Sequence, residues 1–210
     1  MEAARRPFDL SRGPLLRMTL LYVGWESHIL LLVFHHIISD LWSLGIFIRE
    51  LTSIYGSFQS GQALVLPELS IQYADYAAWQ REEMRGERLE REIEHWRREL
   101  SEVPTNLDLP ADRLRPPVMR YRGARLPLRQ PVCRLRELAQ GEEATVFMAL
   151  LAAYGVLLAR FGGQEVLAVG SPVANRPRVE LEGLIGFFIN MLVLKISASD
   201  SDNKLMFNSK

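Results

Sequence analysis

The chain has 210 residues, 25 of them basic and 25 acidic, so its formal charge is zero, and 48% of it is hydrophobic. That balance gives no electrostatic reason to expect nucleic acid, and the apolar share suffices to bury a sizeable core. The lone cysteine, Cys133, excludes an internal disulfide and a cysteine-rich metal site, and fits a reducing, cytoplasmic setting.

The opening "MEAARRPFDLSRGP" has no apolar core and does not read as a signal peptide, and "ILLLVF" and "LIGFFINMLVL" are too short to span a bilayer, so no membrane is expected. "LLRMTLLYV" (15–23) and "HILLLVF" (28–34) read as strands joined by the turn "GWES", the second apolar enough to be buried on both faces. From Trp42 the period becomes helical, through Leu44, Phe47, Leu51, Ile54 and Phe58, with Gly56 and Gly61 marking the end. A second helix is predicted over Ile71–Leu100, with Leu89, Ile93, Trp96 and Leu100 on one stripe and Glu94 supporting Arg98. Its charge-rich part reads as a solvated face.

The stretch "SEVPTNLDLPADRLRPPVMRYRG" (101–123) holds four prolines and no regular period, and marks a boundary or linker. "ARLPLR" (124–129) follows as a short strand. "TVFMALLAAYGVLLARFGG" is the clearest helix, with Phe147, Leu150/Leu151, Tyr154, Leu157/Leu158 and Phe161 along one face, Thr145 as N-cap and Gly162–Gly163 at its end. "VLAVGSPV" and "LIGFFINMLVLKI" read as strands, and the tail "SASDSDNKLMFNSK" as polar and frayed.

Within "FHHIISDLWSL" (34–44) two histidines close the second strand, and an aspartate follows. On a strand, neighbouring side chains point to opposite faces, so one of His35 and His36 can face a cavity while the other is packed and hydrogen-bonded. Asp40 falls where the coming helix needs an N-cap. Taken alone, the stretch reads as a core histidine, an exposed histidine and a capping aspartate. Metal binding is set aside, because adjacent histidines diverge on a strand and His28 and His95 lie far off in sequence.

The wider sequence adds a second reading. "FHHIISDLWS" resembles the His-His-x-x-x-Asp-Gly motif of the condensation domains of nonribosomal peptide synthetases, within the chloramphenicol acetyltransferase superfamily. "YADYAAW" (73–79), "VGSPVANRP" (169–177) and "IGFFINMLVLK" (185–195) resemble later motifs of that family in the same order, and "PFDLSRGPLLRMTLL" resembles the segment preceding the histidines. The resemblance covers residues 7 to 196. It implies an α/β fold of two chloramphenicol acetyltransferase-like lobes with the site in a tunnel between them. In that scheme residues 1–107 are the C-terminal part of the N-lobe, 108–123 a proline-rich crossover, and 124–210 the N-terminal part of the C-lobe, the domain being incomplete at both ends.

The implied activity joins a carrier-bound acyl or peptidyl thioester to the amine of a carrier-bound amino acid. His36 occupies the catalytic position, orienting the amine and stabilising the charged tetrahedral intermediate, with proton transfer as a contribution. His35 is supporting. Asp40 is structural and pairs with an arginine, for which Arg176 is the candidate, against the alternative of ordinary surface charge. Gly186 and Asn190 line the tunnel or serve as a packing glycine and a strand residue, and Ser43 is a first-turn helix residue or a tunnel hydroxyl. Trp42 and Trp79 read as core aromatics. No cofactor or metal binds directly, since substrates ride on the 4'-phosphopantetheine of upstream and downstream carrier domains, and an adenylation domain is expected in cis.

Leu41 stands where the motif has glycine, and Met191 where it has threonine. If position 41 needs a positive φ, leucine costs roughly 1–2 kcal/mol there and can shift His36; otherwise it reshapes the tunnel wall. A non-peptidyl donor stays open. A cyclisation domain is disfavoured by His35, and "DLWSL" with "IGFFIN" favours condensation over epimerisation. With the family's first and last motifs not found, the isolated chain is expected to fold poorly, aggregate or be inactive. The alternative function is a non-catalytic remnant or a carrier-docking module.

Overall fold

The computed structural model describes residues 5–113, 117–118, 123–127 and 133–198, with the backbone of Met206–Asn208. In chain order the elements are β1 (Leu16–Gly24), β2 (Ser27–Phe34), a 3-10 turn (His36–Ile38), α1 (Leu41–Ser60), α2 (Tyr73–Glu83), α3 (Gly86–Glu99), α4 (Cys133–Gly141), α5 (Val146–Gly162), β3 (Val166–Val173), a second 3-10 turn (Val179–Leu181), β4 (Asn190–Ser197) and β5 (Met206–Asn208). The strands form one sheet of two, β1–β2, and one of three, in the order β3–β4–β5.

β1 and β2 make an antiparallel hairpin with Leu16 opposite Phe34 and Tyr22 opposite His28. The strands lie where the pattern predicts, but β2 is not buried on both faces. Its residues Ser27–Leu30 are exposed and Leu31–Phe34 half-buried: among the described residues no third strand pairs with it, and Phe47 of the following helix meets Phe34 edge-on at 5.1 Å.

Helix α1 starts one residue before the expected Trp42, with Asp40 as N-cap, and ends at Gly61, whose φ of 66° is the left-handed conformation glycine adopts without penalty. Gly56, expected to mark the end, lies inside the helix. The long helix expected over Ile71–Leu100 is two, parted at Met84–Arg85, with Gly86 at φ 54° entering α3. On α3, Glu94 pairs with Arg97 at 3.8 Å, one residue short of the expected Arg98, since i,i+3 neighbours share a face as i,i+4 neighbours do.

No pattern predicted α4. The strand expected over 124–129 is not formed by Ala124–Pro127, which hold no regular element, and its last two residues lie outside the described ones. Helix α5 is capped by Thr145, whose hydroxyl accepts the Met148 N–H at 3.1 Å, and by Gly163 at φ 63°. Of its expected apolar face only Leu151 and Leu158 are buried, together with Gly155; Phe147, Leu150, Tyr154, Leu157 and Phe161 are exposed. Gly155 sets this choice of face, because a Cβ there would stand 2.8 Å from Ile196 Cγ2, so the helix backbone sits directly on β4's side chain.

β3 has the predicted bounds. β4 begins only at Asn190, so the first six residues of the expected strand, 184–189, are irregular. The tail is not wholly frayed: Met206–Asn208 pair antiparallel with β4, Lys195 opposite Asn208, while 199–205 and 209–210 lie outside the described residues.

Two compact units result, Met1–Glu90 with Pro172–Met191, and Arg91–Ser171 with Leu192–Lys210. The first is built around Tyr76, Leu181, Leu184 and Phe188. The second is built around Leu151, Leu158, Leu167 and Ile196, with Leu107, Val169 and Leu194 packed against them. No single helix among the described residues is long and apolar enough to cross a membrane.

Candidate active site

Because β2 ends at Phe34, both histidines lie beyond the strand, and the expected alternation across its faces does not apply. His35 caps the 3-10 turn that His36 begins. The Nδ1 atom of His35 accepts the Ile37 N–H at 3.1 Å, so the proton of its neutral ring sits on Nε2. His36 is the opposite tautomer. Its Nδ1 lies 2.8 Å from the Ser39 carbonyl oxygen, which only accepts, so Nδ1 carries the hydrogen and Nε2 of the neutral ring bears the lone pair. His36 is exposed, and its ring meets that of Phe187 edge-on at 5.2 Å and 86°.

Four residues on, the chain turns inward. Asp40 Oδ1 accepts the Ser43 N–H at 2.8 Å, and Oδ2 accepts the Phe188 N–H at 3.0 Å. Arg176 Nη2 stands 3.5 Å from Asp40 Oδ1, with both side chains at most 3% exposed. Nη2 also donates to Ser43 Oγ at 2.8 Å, while Nη1 donates to the carbonyls of Leu181 and, at 2.9 Å, Leu184. Ser43, fully buried, donates its hydroxyl to Gly186 O at 2.7 Å and accepts the Gly186 N–H at 3.1 Å. The guanidinium lies 3.9 Å above the Phe188 ring, a cation–π contact that partly replaces lost hydration. Among the described residues its Nε has no hydrogen-bond partner.

Burial alone would push the Asp40 carboxyl up. The Ser43 and Phe188 N–H groups and the Arg176 charge together outweigh burial and hold it below its usual value. Burial lowers the Arg176 guanidinium despite Asp40 beside it. Both groups stay charged at neutral pH. This is a buried, hydrogen-bonded ion pair that ties the N-terminus of α1 to the segment 184–188.

Gly186 is buried against an aromatic ring: a Cβ on it would stand 2.1 Å from Tyr73 Cδ2. The Tyr73 hydroxyl donates to the Phe187 carbonyl at 2.8 Å. Asn190 is exposed at the start of β4, where its side chain accepts the Met191 N–H at 2.9 Å. Leu41 has no positive φ; it is the exposed first residue of α1, so its replacement of glycine strains nothing. The two expected core tryptophans are part-exposed: Trp42 donates to the Glu182 carbonyl at 3.0 Å, and Trp79 lies 5.0 Å beneath the Arg178 guanidinium. Sequence reasoning passed over Tyr73 and Phe187, although both sit in quoted motifs. Among the described residues no three His, Cys, Asp or Glu side chains are placed to hold a metal ion.

A family model described as "Condensation domain" matches residues 1–208. The chain belongs to the condensation-domain family. Over 202 residues it is 46% identical to a linear gramicidin synthase protein of Brevibacillus parabrevis, a match covering 95% of this chain and 3% of that protein. Among solved structures, the X-domain in a complex with OxyB from teicoplanin biosynthesis matches with a TM-score of 0.84 at 30% identity, over 92% of this chain and 44% of that one. A structure concerned with condensation-domain-mediated chain release from the enacyloxin polyketide synthase matches with a TM-score of 0.72 at 27% identity, over 96% of this chain and 39% of that one. This condensation-domain segment thus spans under half of each of these solved chains and a small part of the synthase. Its α/β architecture is the chloramphenicol acetyltransferase-like fold that the motifs implied.

Proposed function

We propose that the chain forms part of a nonribosomal peptide synthetase and, within an intact condensation domain, makes the amide bond between a carrier-bound acyl or peptidyl thioester and the amine of a carrier-bound amino acid. The observation that carries this reading is the tautomer of His36. Its Nδ1–H is held by the Ser39 carbonyl at 2.8 Å, which leaves Nε2 as an acceptor on an exposed ring. In the step, the amine nitrogen bonds to the thioester carbon and passes a proton to Nε2. The C–S bond then breaks, and the departing phosphopantetheine sulfur takes that proton. His35 cannot do the same through Nδ1, whose lone pair already holds the Ile37 N–H.

Proton transfer of this kind contributes about 10²- to 10⁴-fold, whereas alignment of two tethered reactants contributes roughly 7–11 kcal/mol. Orientation of the amine is therefore the larger task, and proton transfer the smaller. The residue roles follow: His36 catalytic, His35 supporting, and Asp40 with Arg176 structural. Carrier domains with their 4'-phosphopantetheine arms, and an adenylation domain in cis, are the partners of this reading. Residues 1–107, 108–123 and 124–210 are assigned to the N-lobe, the crossover and the C-lobe. The absence of helix and strand from 101–113 supports a crossover there.

His36→Ala in an intact domain, followed by single-turnover amide formation between loaded carriers, tests the role. A fall of about 10²-fold or more is expected, with carrier binding retained. An unchanged rate would sink it. A second reading, a protein-docking module, draws on the likeness to a domain solved in complex with OxyB. It predicts partner binding with no amide product from either the wild type or the variant.

A further inference from the structure

Segment 186–188 is tethered at four of its six polar backbone groups. The Gly186 N–H and carbonyl both bond to Ser43 Oγ, at 3.1 and 2.7 Å. The same carbonyl accepts the Asp40 N–H at 3.2 Å, and the Phe188 N–H reaches Asp40 Oδ2 at 3.0 Å. Between these anchors, the Phe187 carbonyl is held by the Tyr73 hydroxyl at 2.8 Å. Tyr73 is itself wedged, edge-on to Phe188 at 5.1 Å and so close over Gly186 that a Cβ there would be 2.1 Å from its ring. What this strap presents outward is the Phe187 ring, 38% exposed and edge-on to the His36 imidazole. The Ser39 carbonyl thus meets one nitrogen of the His36 ring, and Phe187 lies edge-on to its plane.

We infer that Tyr73 is a positioning residue for His36, acting through the Phe187 carbonyl and ring to fix the direction in which Nε2 offers its lone pair. The inference rests on the reading of His36 given above. The Ser39 bond sets the tautomer, and the edge-on Phe187 ring bears on rotation of the imidazole about its Cβ–Cγ bond. Asp40, Ser43 and Arg176 hold the two ends of the strap, and Tyr73 holds its middle, where the working ring sits.

The test uses an intact condensation domain with histidines labelled at Cε1, comparing wild type with His36→Ala, Tyr73→Phe, Phe187→Leu, Phe187→Tyr and the Tyr73→Phe/Phe187→Leu pair. His36→Ala identifies the His36 resonance. Tyr73→Phe keeps the wedge and loses only the hydroxyl, so the fold should survive; Phe187→Leu replaces a part-exposed ring. Single-turnover amide formation should fall about threefold to tenfold in Tyr73→Phe and more in Phe187→Leu, with Phe187→Tyr close to wild type. The double variant should be no slower than Phe187→Leu alone, since both changes act through one ring. The His36 resonance should move in Tyr73→Phe and Phe187→Leu, which a purely structural tyrosine would not cause.

If His36→Ala is slow while Tyr73→Phe and Phe187→Leu match wild type in rate and resonance, the inference is overturned and the reading of His36 stands. If His36→Ala leaves the rate unchanged, that reading fails, and the resonance alone decides: a shift in both variants supports positioning, no shift overturns it.

Discussion

In the first unit, Tyr76, Leu181, Leu184 and Phe188 close around a carboxylate and a guanidinium, whereas the second unit is packed around the aliphatic Leu151, Leu158, Leu167 and Ile196. Ser39, Asp40, Ser43 and the buried side chain of Arg176 all belong to the first unit. Burying an ion pair often contributes no more stability than apolar side chains of the same volume would. What it does here is direct backbone groups to fixed places. Asp40 and Ser43 each accept from the strap at 186–188, so the segment can stay irregular and still have its backbone paired. The aliphatic core needs no such directionality, since its strands satisfy their backbone in a ladder and only shape has to match. A polar core positions a site, and an apolar core holds a scaffold.

That contrast breaks most readily at its charge. Arg176→Met should destabilise an intact domain by about 3–5 kcal/mol in denaturant unfolding, because Asp40 is left as a buried, unpaired carboxylate. A loss below about 1 kcal/mol would mean that the pair does not organise the first unit. Gly186→Ala comes next, at roughly 3 kcal/mol, since its new methyl meets the wedged Tyr73 ring rather than a mobile side-chain end. Gly155→Ala in the second unit should cost less, about 1–2 kcal/mol, because the methyl meets Ile196 Cγ2 at 2.8 Å in a core that repacks aliphatic groups. Equal losses at the two glycines would erase the distinction between the cores.

Acid acts on the buried ion pair of the first unit directly. The Asp40 carboxyl is held below its ordinary value, so near pH 4 and lower the unfolded chain binds more protons than the folded one. The stability it contributes is complete above the unfolded value of about 3.9 and is lost as pH falls through the lowered folded value. Asp40→Asn should flatten that dependence in unfolding measured across the acid range. An identical acid profile for wild type and Asp40→Asn would remove the carboxylate from the account. The smallest effect is expected from Leu41→Gly, which restores the family's residue at an exposed, unstrained first turn: a loss of about 1 kcal/mol or less. A gain of stability there would show that Leu41 strains the motif after all.

The histidine pair, the capping aspartate and the partner Arg176 were legible as residues because each sits in a short motif. The state of the two rings was not. Which nitrogen of His35 and His36 carries hydrogen depends on where Ile37 N–H and Ser39 C=O end up after β2 stops, and the apolar run of β2 gives no sign of a 3-10 turn beyond it. Tyr73 and Phe187 were visible as letters, yet their meeting across 114 positions is a tertiary fact. Likewise α5 was found with both caps, but which of its apolar residues are buried was not, because large apolar residues surround it on most sides and the decisive position, Gly155, has no side chain to count.

By itself, then, the sequence determined the local and the covalent: the hairpin at Gly24–Ser27, the caps at Asp40, Gly61, Thr145 and Gly163, the span of β3, and the motifs of a condensation domain. These follow from short-range sterics and hydrogen bonding, which neighbours in the chain settle among themselves. Only the tertiary structure decided which groups share a buried volume. That choice turned Asp40 and Arg176, separated by 136 positions, into an ion pair, kept 184–189 out of the ladder, and set one nitrogen of the exposed His36 ring against the Ser39 carbonyl. Its physical reason is desolvation: a charge or backbone group removed from water must find its partner wherever the fold supplies one, however far away in sequence.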